Sequence, residues 1–576
     1  MTENWVIAAK RADFNAIGQK FGIDPVIARL IRNRDVVGDE NIEKYLHGTL
    51  DDLYDPAEMK DLVKASEILS DYISNNKKIR IIGDYDIDGI MSSYILVKGL
   101  GRLGADADVR IPDRMTDGYG LNERLIREAK DDGRELIITC DNGIAASSEI
   151  ALANELGIKV IVTDHHEIPY ETEIDENGGE TRKYHLPPAE AVVDPKQPDC
   201  GYPYKGLCGA GVVFKLISFM YSMHGVPEAE AEELLEYTAF ATIGDVMELT
   251  DENRIIVREG IRRLRKTGNA GLRQLILLNN LDPERIDVYH IGFVLGPCMN
   301  ASGRLNTAMH ALSMLMAETE QEAAAKAGDL IALNASRKDM TLRGEEQAVE
   351  ILETTDAGRD RVLVVYLPDI HESIAGIIAG RIKEKYHKPV FVLTDSRDGV
   401  KGSGRSIESY DMYDELCRVK ECFTKFGGHK MAAGVSMNSG EVDVFREKIN
   451  ANCKLTREDM IPKVVIDVAM PIGYISEKLI EQINIMQPFG VANTRPVFAE
   501  SKVNVLYPKV IGKNRNAVRM VVKNRLGHQI EAIYFGEGDE FVDYVSSHRE
   551  ISIIYYPEIN TFRGAGTLQI QIRKYR

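Results

Sequence analysis

KKIRIIGDYDIDGI, Lys77 to Ile90, sets a short apolar run against three aspartates spaced two apart and a closing glycine. An apolar run of this length bounded by turn residues reads as a buried strand. Asp84, Asp86 and Asp88 then crowd its end. Like charges that close disfavour one another's ionisation unless something positive lies between them. The triplet is either an acidic loop splayed into water or a cation site, and these residues alone leave both open.

The same texture recurs downstream. DADVRIP, ELIITCDNG, KVIVTDHH and AEAVVDP are short, apolar and rich in β-branched residues. Between them lie IMSSYILVKGLGRLG, LNERLIREAKDDG and AASSEIALANELG, which have helical character. Strand alternating with helix predicts a parallel sheet covered on both faces. In such a sheet the C-terminal strand ends form one crevice, where ligands bind. Asp84, Asp86 and Asp88 end one strand, Asp141 another, and Asp164 with His165 and His166 a third. Asp245, in ATIGDVMEL, follows a helix that can reach the same rim.

Any single strand-end aspartate is most often a turn or helix-cap residue, and Asp164 has that simpler reading. The whole set does not. Carboxylates with one or two imidazoles make a shell suited to Mn²⁺ or Mg²⁺ rather than to structural zinc. Their number exceeds the needs of one ion. Two ions about 4 Å apart, sharing an aspartate, would use them all, clamp a phosphoryl centre and activate a water for in-line attack.

With 576 residues the chain exceeds a single core, so several domains are expected. Apolar residues make up 44% and charged residues 28%, as in ordinary soluble proteins. No run approaches the roughly 18 apolar residues of a membrane span, and MTENWVIAAK lacks a secretory pattern. Seven cysteines without a CxxC pair argue against disulfide or zinc frameworks, so a cytoplasmic protein with reduced thiols is expected. The net charge of −18 argues against a polyanion partner only if it is even. It is not: Ser501 to Arg576 holds 12 Lys and Arg against 7 Asp and Glu, which is +5 and leaves −23 on the rest. A basic module on an acidic body is compatible with binding nucleic acid.

Residues 1–75 read as helices, 76–315 as the first α/β domain, 316–355 as a long connecting helix and 356–455 as a smaller α/β domain. From 460 to 576, runs such as KVVIDVAM, NAVRMVVKN and TLQIQIRK predict a small β-barrel. YETEIDENGGETRKYH reads as a polar surface insertion. LGPCMNASGRLN and GSGRS read as small-residue loops carrying Arg304 and Ser403, Arg405 and Ser406; FGGHKMAAG carries His429. Small residues let a backbone approach an anion, and arginine forks onto phosphate oxygens. Each glycine run can equally be a tight turn, and each arginine a surface charge. In IPDRMTDGYG, Arg114 offers a phosphate contact and Tyr119 a ring for base stacking. His371, in HESIAGIIAGR, is a further candidate, although a helix-start histidine is more often structural.

DYDIDG, TCDNG, VTDHH and GDVMEL, in this order, resemble the DHH phosphoesterases, and GSGRS with GGHKMAAG resembles their companion DHHA1 domain. Together with LGPCMNASGRL, IPDRMTDGYG, QPFGVANTRPVF and a C-terminal barrel, the pattern is similar to the RecJ family of bacterial single-strand-specific 5′→3′ DNA exonucleases. The resemblance spans roughly residues 45–576. It implies two α/β domains with an active site in their cleft, a long joining helix and an OB-fold that grips the strand. It implies two ions, Mn²⁺ or Mg²⁺, held by Asp84, Asp86, Asp88, Asp141, His165 and Asp245, with Asp86 and Asp88 fitting a shorter DxD form. His166 falls just outside that shell, and Asp86, Asp141, His165 and His166 carry the catalytic roles. Arg304, Ser403, Arg405 and Ser406 match the binders of the terminal phosphate, with Arg114, Tyr119, His371 and His429 as further substrate contacts. There are departures: Ile82 stands where the pattern has histidine, Cys298 where it often has a basic residue, and Asp194 where Asn-Pro is usual.

The function expected is processive hydrolysis of single-stranded DNA from its 5′ end, releasing 5′-mononucleotides. Tyr534, Tyr556 or Phe562 would stack bases on the barrel, although burial is the simpler reading of each. A helicase and a single-strand-binding protein are the expected collaborators, and the chain is expected to be a monomer. One rival is a phosphodiesterase for short oligonucleotides or cyclic dinucleotides. The other is a non-catalytic scaffold for DNA or replication proteins.

Overall fold

Lys78–Ile82 is buried along KIRII except at its first residue, because a strand inside a parallel sheet has neither face in water. A computed structural model describes residues 3–114, 116–174, 180–397, 399–560 and 566–576. The strand sits within a five-stranded parallel sheet in the order Asp106–Arg110, Lys78–Ile82, Leu136–Cys140, Lys159–Thr163, Ala191–Val193. Ile82 stands level with Thr139, Cys140 with Thr163, and Thr163 with Val193. The four strand ends therefore deliver Asp84, Asp141, Asp164 and Asp194 to one edge. Ile82 itself is buried in the apolar core, so no metal contact arises there.

The 35-residue helix Glu320–Thr354 joins this sheet to a second one. Thr319 caps its start by accepting from the Glu322 N–H. Along its length it buries small residues, Ala323, Ala327, Gly344 and Ala348. A β-carbon on Gly344 would stand 2.4 Å from Ile378 Cδ1, so close helix packing requires glycine there. The second sheet runs Lys425–His429, Ala432–Met437, Gly399–Arg405, Val390–Ser396, Leu363–Tyr366, and only its last pair is parallel.

Three segments read as loops or insertion are regular structure. GSGRS lies mostly in the strand Gly399–Arg405, and LGPCMNASGRL lies in the helix Gly296–Leu305. YETEI pairs with ETRKY as a two-stranded hairpin. The glycines here serve close approach more than turning. A β-carbon on Gly402 would meet Leu393 Cδ2 at 2.2 Å, and one on Gly404 would meet Met412 Sδ at 2.5 Å.

Residues 4–55, 246–260 and 463–576 form a separate compact unit. Its six strands run Val468–Ala469, Phe498–Ile511, Ala517–Lys523, Gln529–Phe535, Thr567–Tyr575, Ile551–Asn560, and Phe498–Ile511 pairs again with Ile551–Asn560 to close the sheet. The N-terminal helices share its core: Ile27, Leu30, Ile31 and Tyr45 pack with Phe498, Phe541 and Tyr555. Asn4–Ile7 pairs in parallel with Lys463–Ile466. Arg254 is buried and donates to the carbonyls of Tyr45, Ile485 and Met486, tying three distant segments together. Among the barrel aromatics, Tyr534 stacks on Phe541 and Tyr556 is buried with the Arg495 guanidinium over its ring, so neither is a free platform. Phe562 lies outside the described residues.

Because Leu30 is fully buried in this shared core, Leu30→Ala costs the barrel unit about 2–5 kcal/mol. Thermal or urea unfolding followed by the signal of Trp5, which lies in the same unit, will show that loss.

Candidate metal centre and anion pocket

DYDIDG is the start of a helix. Asp86 caps Ile87–Arg102, its Oδ1 accepting from the N–H groups of Asp88 and Gly89 at 3.0 and 3.2 Å. Asp88 lies in the first turn, fully buried, and accepts from Gly209 and Ala210 N–H at 2.6 and 2.8 Å. Those two amides open the helix Gly209–Met223, so backbone dipoles offset part of the buried charge. Gly209 is required there: a β-carbon would stand 2.8 Å from Asp141 Cβ. Asp141 is held at φ +61°, a left-handed conformation that costs a non-glycine residue energy and is kept at functional sites. Tyr119 Oη donates to the Asp141 carbonyl at 3.0 Å.

The predicted ligands converge. His165 Nε2 lies 3.1 Å from Asp141 Oδ1, 3.6 Å from Asp88 Oδ2 and 3.7 Å from Asp245 Oδ2. Three overlapping groups, Asp84–Asp86–Asp141, Asp88–His165–Asp245 and Asp141–His165–His166, each bring ligand atoms within 4.8 Å of one another. Asp141 of the first group lies against His165 of the second, so these two groups adjoin as the sites of a pair of ions must. Asp84 Oδ1 is buried without a hydrogen-bond partner. Burial and then the Asp86 charge push the Asp84 carboxyl well above its ordinary range. Burial followed by Asp88 does the same to Asp141. Burial and neighbouring aspartates raise Asp88 to about 6 and Asp245 to about 8. An orphaned buried oxygen among carboxylates that resist ionisation fits a site for divalent cations with oxygen preference.

The two histidines differ. Burial, with His166 next, lowers His165 to about 3, leaving a neutral imidazole free to act as a ligand. His166 loses to burial but gains more from Asp164, whose Oδ1 lies 2.8 Å from its Nδ1, and rises to about 9. Asp164 therefore has both readings. It organises the turn by accepting from Ile144, His165 and His166 N–H, and it holds His166 charged. Asp194 is buried and pushed up to about 8 by burial and Asp164, so at neutral pH it adds little of the negative charge its identity suggests.

Beside Tyr85, between Asp84 and Asp86, a cavity of about 670 Å³ is lined by Arg114, Arg304, Lys401, Ser403, Arg405 and Lys425. Gly303 permits this approach, since a β-carbon would meet the Tyr85 carbonyl at 2.2 Å. Arg304 donates to the Ser373 carbonyl at 2.7 Å, Arg405 to Ser403 Oγ at 3.0 Å, and Arg114 lies over the Tyr85 ring at 4.8 Å. Burial, then Arg114 and Arg337, depress Arg304 to about 10. Glu372 is the one carboxylate in this lining, and it pairs with Lys401 at 3.1 Å. Clustered, half-desolvated cations of this kind are an anion receptor.

Three predicted contacts lie elsewhere. Ser406 is buried, and its hydroxyl donates to the Tyr410 carbonyl at 2.7 Å. His371 caps a single turn by accepting from Ser373 N–H. His429 is exposed at the end of Lys425–His429, outside the pocket lining. Cys298 is buried against Asn334 of the long helix, so its departure from the pattern does not touch the pocket wall. Lys401 and Lys425 line the pocket without having been candidates from sequence; Lys401 has a legible signal. It shares a strand face with Ser403 and Arg405 by the period of two, a signal legible once GSGRS is read as strand.

Residues 78–242 match the DHH family N-terminal domain, 359–455 the DHHA1 domain and 466–574 the RecJ OB domain. The chain is 35% identical to the single-stranded-DNA-specific exonuclease RecJ of Bacillus subtilis over 563 residues, 97% of this chain and 69% of that one. The chain belongs to the RecJ family. RecJ of Thermus thermophilus in complex with Mn²⁺ superposes with a TM-score of 0.82 at 26% identity, covering 100% of this chain and 79% of that one. The Mg²⁺ complex of the Thermus RecJ shows the same fold, with a TM-score of 0.77 at 24% identity over 100% and 78%. Among the described residues of this RecJ-family chain no helix is long and apolar enough to cross a membrane.

Protons and metal compete for these carboxylates. Since burial and mutual repulsion raise Asp88 to about 6 and Asp245 to about 8, Mn²⁺ affinity should rise with pH across that range. Calorimetric titration in buffers of different ionisation enthalpy will show proton release that shrinks over the same range.

Proposed function

We propose that this protein is a single-stranded-DNA exonuclease that uses Mn²⁺ or Mg²⁺ and degrades from the 5′ end to 5′-mononucleotides. The observation that carries this reading is the abutment of two opposite sites. An oxygen-rich cluster of Asp84, Asp86, Asp88, Asp141, His165 and Asp245 adjoins, across Tyr85, a pocket in which five cations face a single carboxylate. A terminal phosphate in that pocket sets the next phosphodiester over the carboxylates.

When bound, two divalent ions supply charge to the phosphoryl oxygens and lower the pKa of an attacking water. The chain's own residues do the rest. Arg304, Arg405 and Ser403 hold the terminal phosphate, with Arg114, Lys401 and Lys425 adding charge. Cationic His166, its Nδ1 fixed by Asp164, would donate its Nε2–H to the oxygens of the scissile phosphate. Tyr119 steadies the Asp141 backbone and keeps an exposed ring beside the site. Of the ranges read from sequence, we assign catalysis to 76–315, apart from 246–260, which packs with the barrel unit, and to 356–455 around the helix 316–355, and strand binding to the basic OB-type module from 460 onward. The reading extends to a cytoplasmic monomer acting on strands that a helicase unwinds and a single-strand-binding protein covers, because intact duplex offers it no unpaired 5′ end.

Asp141→Ala should abolish Mn²⁺-dependent digestion of single strands by more than roughly 100-fold, beyond the cost of an outer-shell partner. Survival of activity would sink the site assignment. Arg405→Ala should raise KM about 10- to 100-fold for 5′-phosphorylated ends, the worth of a charge-assisted hydrogen bond, and leave unphosphorylated ends little changed. End-labelled single and double strands, with and without the 5′ phosphate, provide the comparison.

A further inference from the structure

Two aromatic side chains stand largely in water, beside each other and a neighbouring imidazole. Tyr289 is 61% exposed and Phe293 68%. Their rings stack with centroids 5.2 Å apart and planes at 26°, and His290 meets Tyr289 edge-on. A pair of large apolar rings held outward forfeits the burial that normally stabilises such side chains.

Their position ties them to the metal centre. Phe293 belongs to one π-helical turn, Ile291–Leu295, in which Gly296 N–H donates back to the Ile291 carbonyl. Such turns are rare and recur at functional sites. The turn buries Ile291 and Leu295. A β-carbon on Gly292 would lie 3.6 Å from Ile243, two residues before Asp245. One on Gly296 would lie 3.2 Å from Ile87, between Asp86 and Asp88. Asn300 Oδ1 also accepts the Ile87 N–H at 2.9 Å. The segment is thus pressed onto both helix ends that deliver carboxylates, and its outward side is the aromatic pair. The anion pocket adjoins the Asp84–Asp86 end of the cluster. Tyr289 and Phe293 flank Gly292, the contact nearest Asp245, and a strand anchored by its terminal phosphate and passing over the carboxylates would continue towards them.

We propose that Tyr289 and Phe293 form a base-stacking platform for a nucleotide beyond the scissile bond, and so are substrate-positioning and strand-selecting residues. This rests on the nuclease reading above. Every base has a π-face, so stacking tolerates any sequence, as an enzyme that advances along a strand requires. Bases inside a duplex are already stacked on both faces and cannot use the platform, which favours unpaired substrate.

The test uses the full chain with Mn²⁺ and 5′-phosphorylated oligonucleotides in which one abasic position is moved stepwise from the 5′ end. The wild type should show raised KM when the abasic position meets the platform. The double variant Tyr289→Ala, Phe293→Ala should show KM raised roughly 5- to 150-fold on intact strands, the range of one base–aromatic stack, with no further response to the abasic position. Its kcat and KM on the strand whose abasic position meets the platform should match the wild type on that strand, and Tyr289→Phe with Phe293→Trp should restore intact-strand KM. An unchanged KM in the double variant overturns the inference and leaves the pair as a protein contact. A raised KM with abasic sensitivity retained overturns it as well. A wild type that digests no single strand fails the nuclease reading itself, a distinct result.

Discussion

Crowding of buried carboxylates is the constraint from which the rest of the structure follows. Asp84, Asp88, Asp141 and Asp245 meet where burial and mutual repulsion both oppose ionisation. The fold offsets part of that cost with backbone. Helix starts donate to Asp86 and Asp88, and the His166 cation stands against Asp164. Asp84 Oδ1 has no such partner. What remains is a demand for positive charge that divalent ions meet, and a strained Asp141 backbone that persists because its surroundings leave no other place for it.

The second half of the site has the reverse problem. Arg304 and Arg405 are held in low dielectric, where burial disfavours their charge. An anion relieves them as a cation relieves the aspartates. Tyr85 separates the two, and glycine sets their spacing. Gly303 brings the helix bearing Arg304 against the Tyr85 carbonyl, and Gly209 brings the capping helix against Asp141. A methyl group at Gly303 would push the halves apart, and one at Gly209 would push the capping helix off Asp141. Glycine acts here through the absence of a side chain rather than through backbone freedom.

Much of this was legible in the sequence because it rests on local periodicity. Alternating apolar runs and helical segments named the parallel sheet, and the rule that strand ends share a crevice gathered Asp84, Asp141 and His165 before any coordinates. The glycine-rich stretches were read less well. GSGRS looks like a turn in isolation, and only its pairing with Val390–Ser396 and Ala432–Met437 makes it strand. Ser406 shows the same limit of local pattern. One residue past the strand, its hydroxyl turns inward to a carbonyl, and no local pattern reports that.

The sequence by itself determined the kinds of elements, their order and the chemistry of the donor set, since those depend on residue type and short-range spacing. Tertiary structure alone decided which charges became partners. Asp164 became the anchor of His166, and Lys401 joined the cation pocket. The N-terminal helices entered the core of a barrel formed from the other end of the chain. Such pairings join residues far apart in the chain, and hydrophobic burial is non-directional. An amphipathic helix announces that it needs a partner, but the identity of that partner is settled only when the surfaces meet.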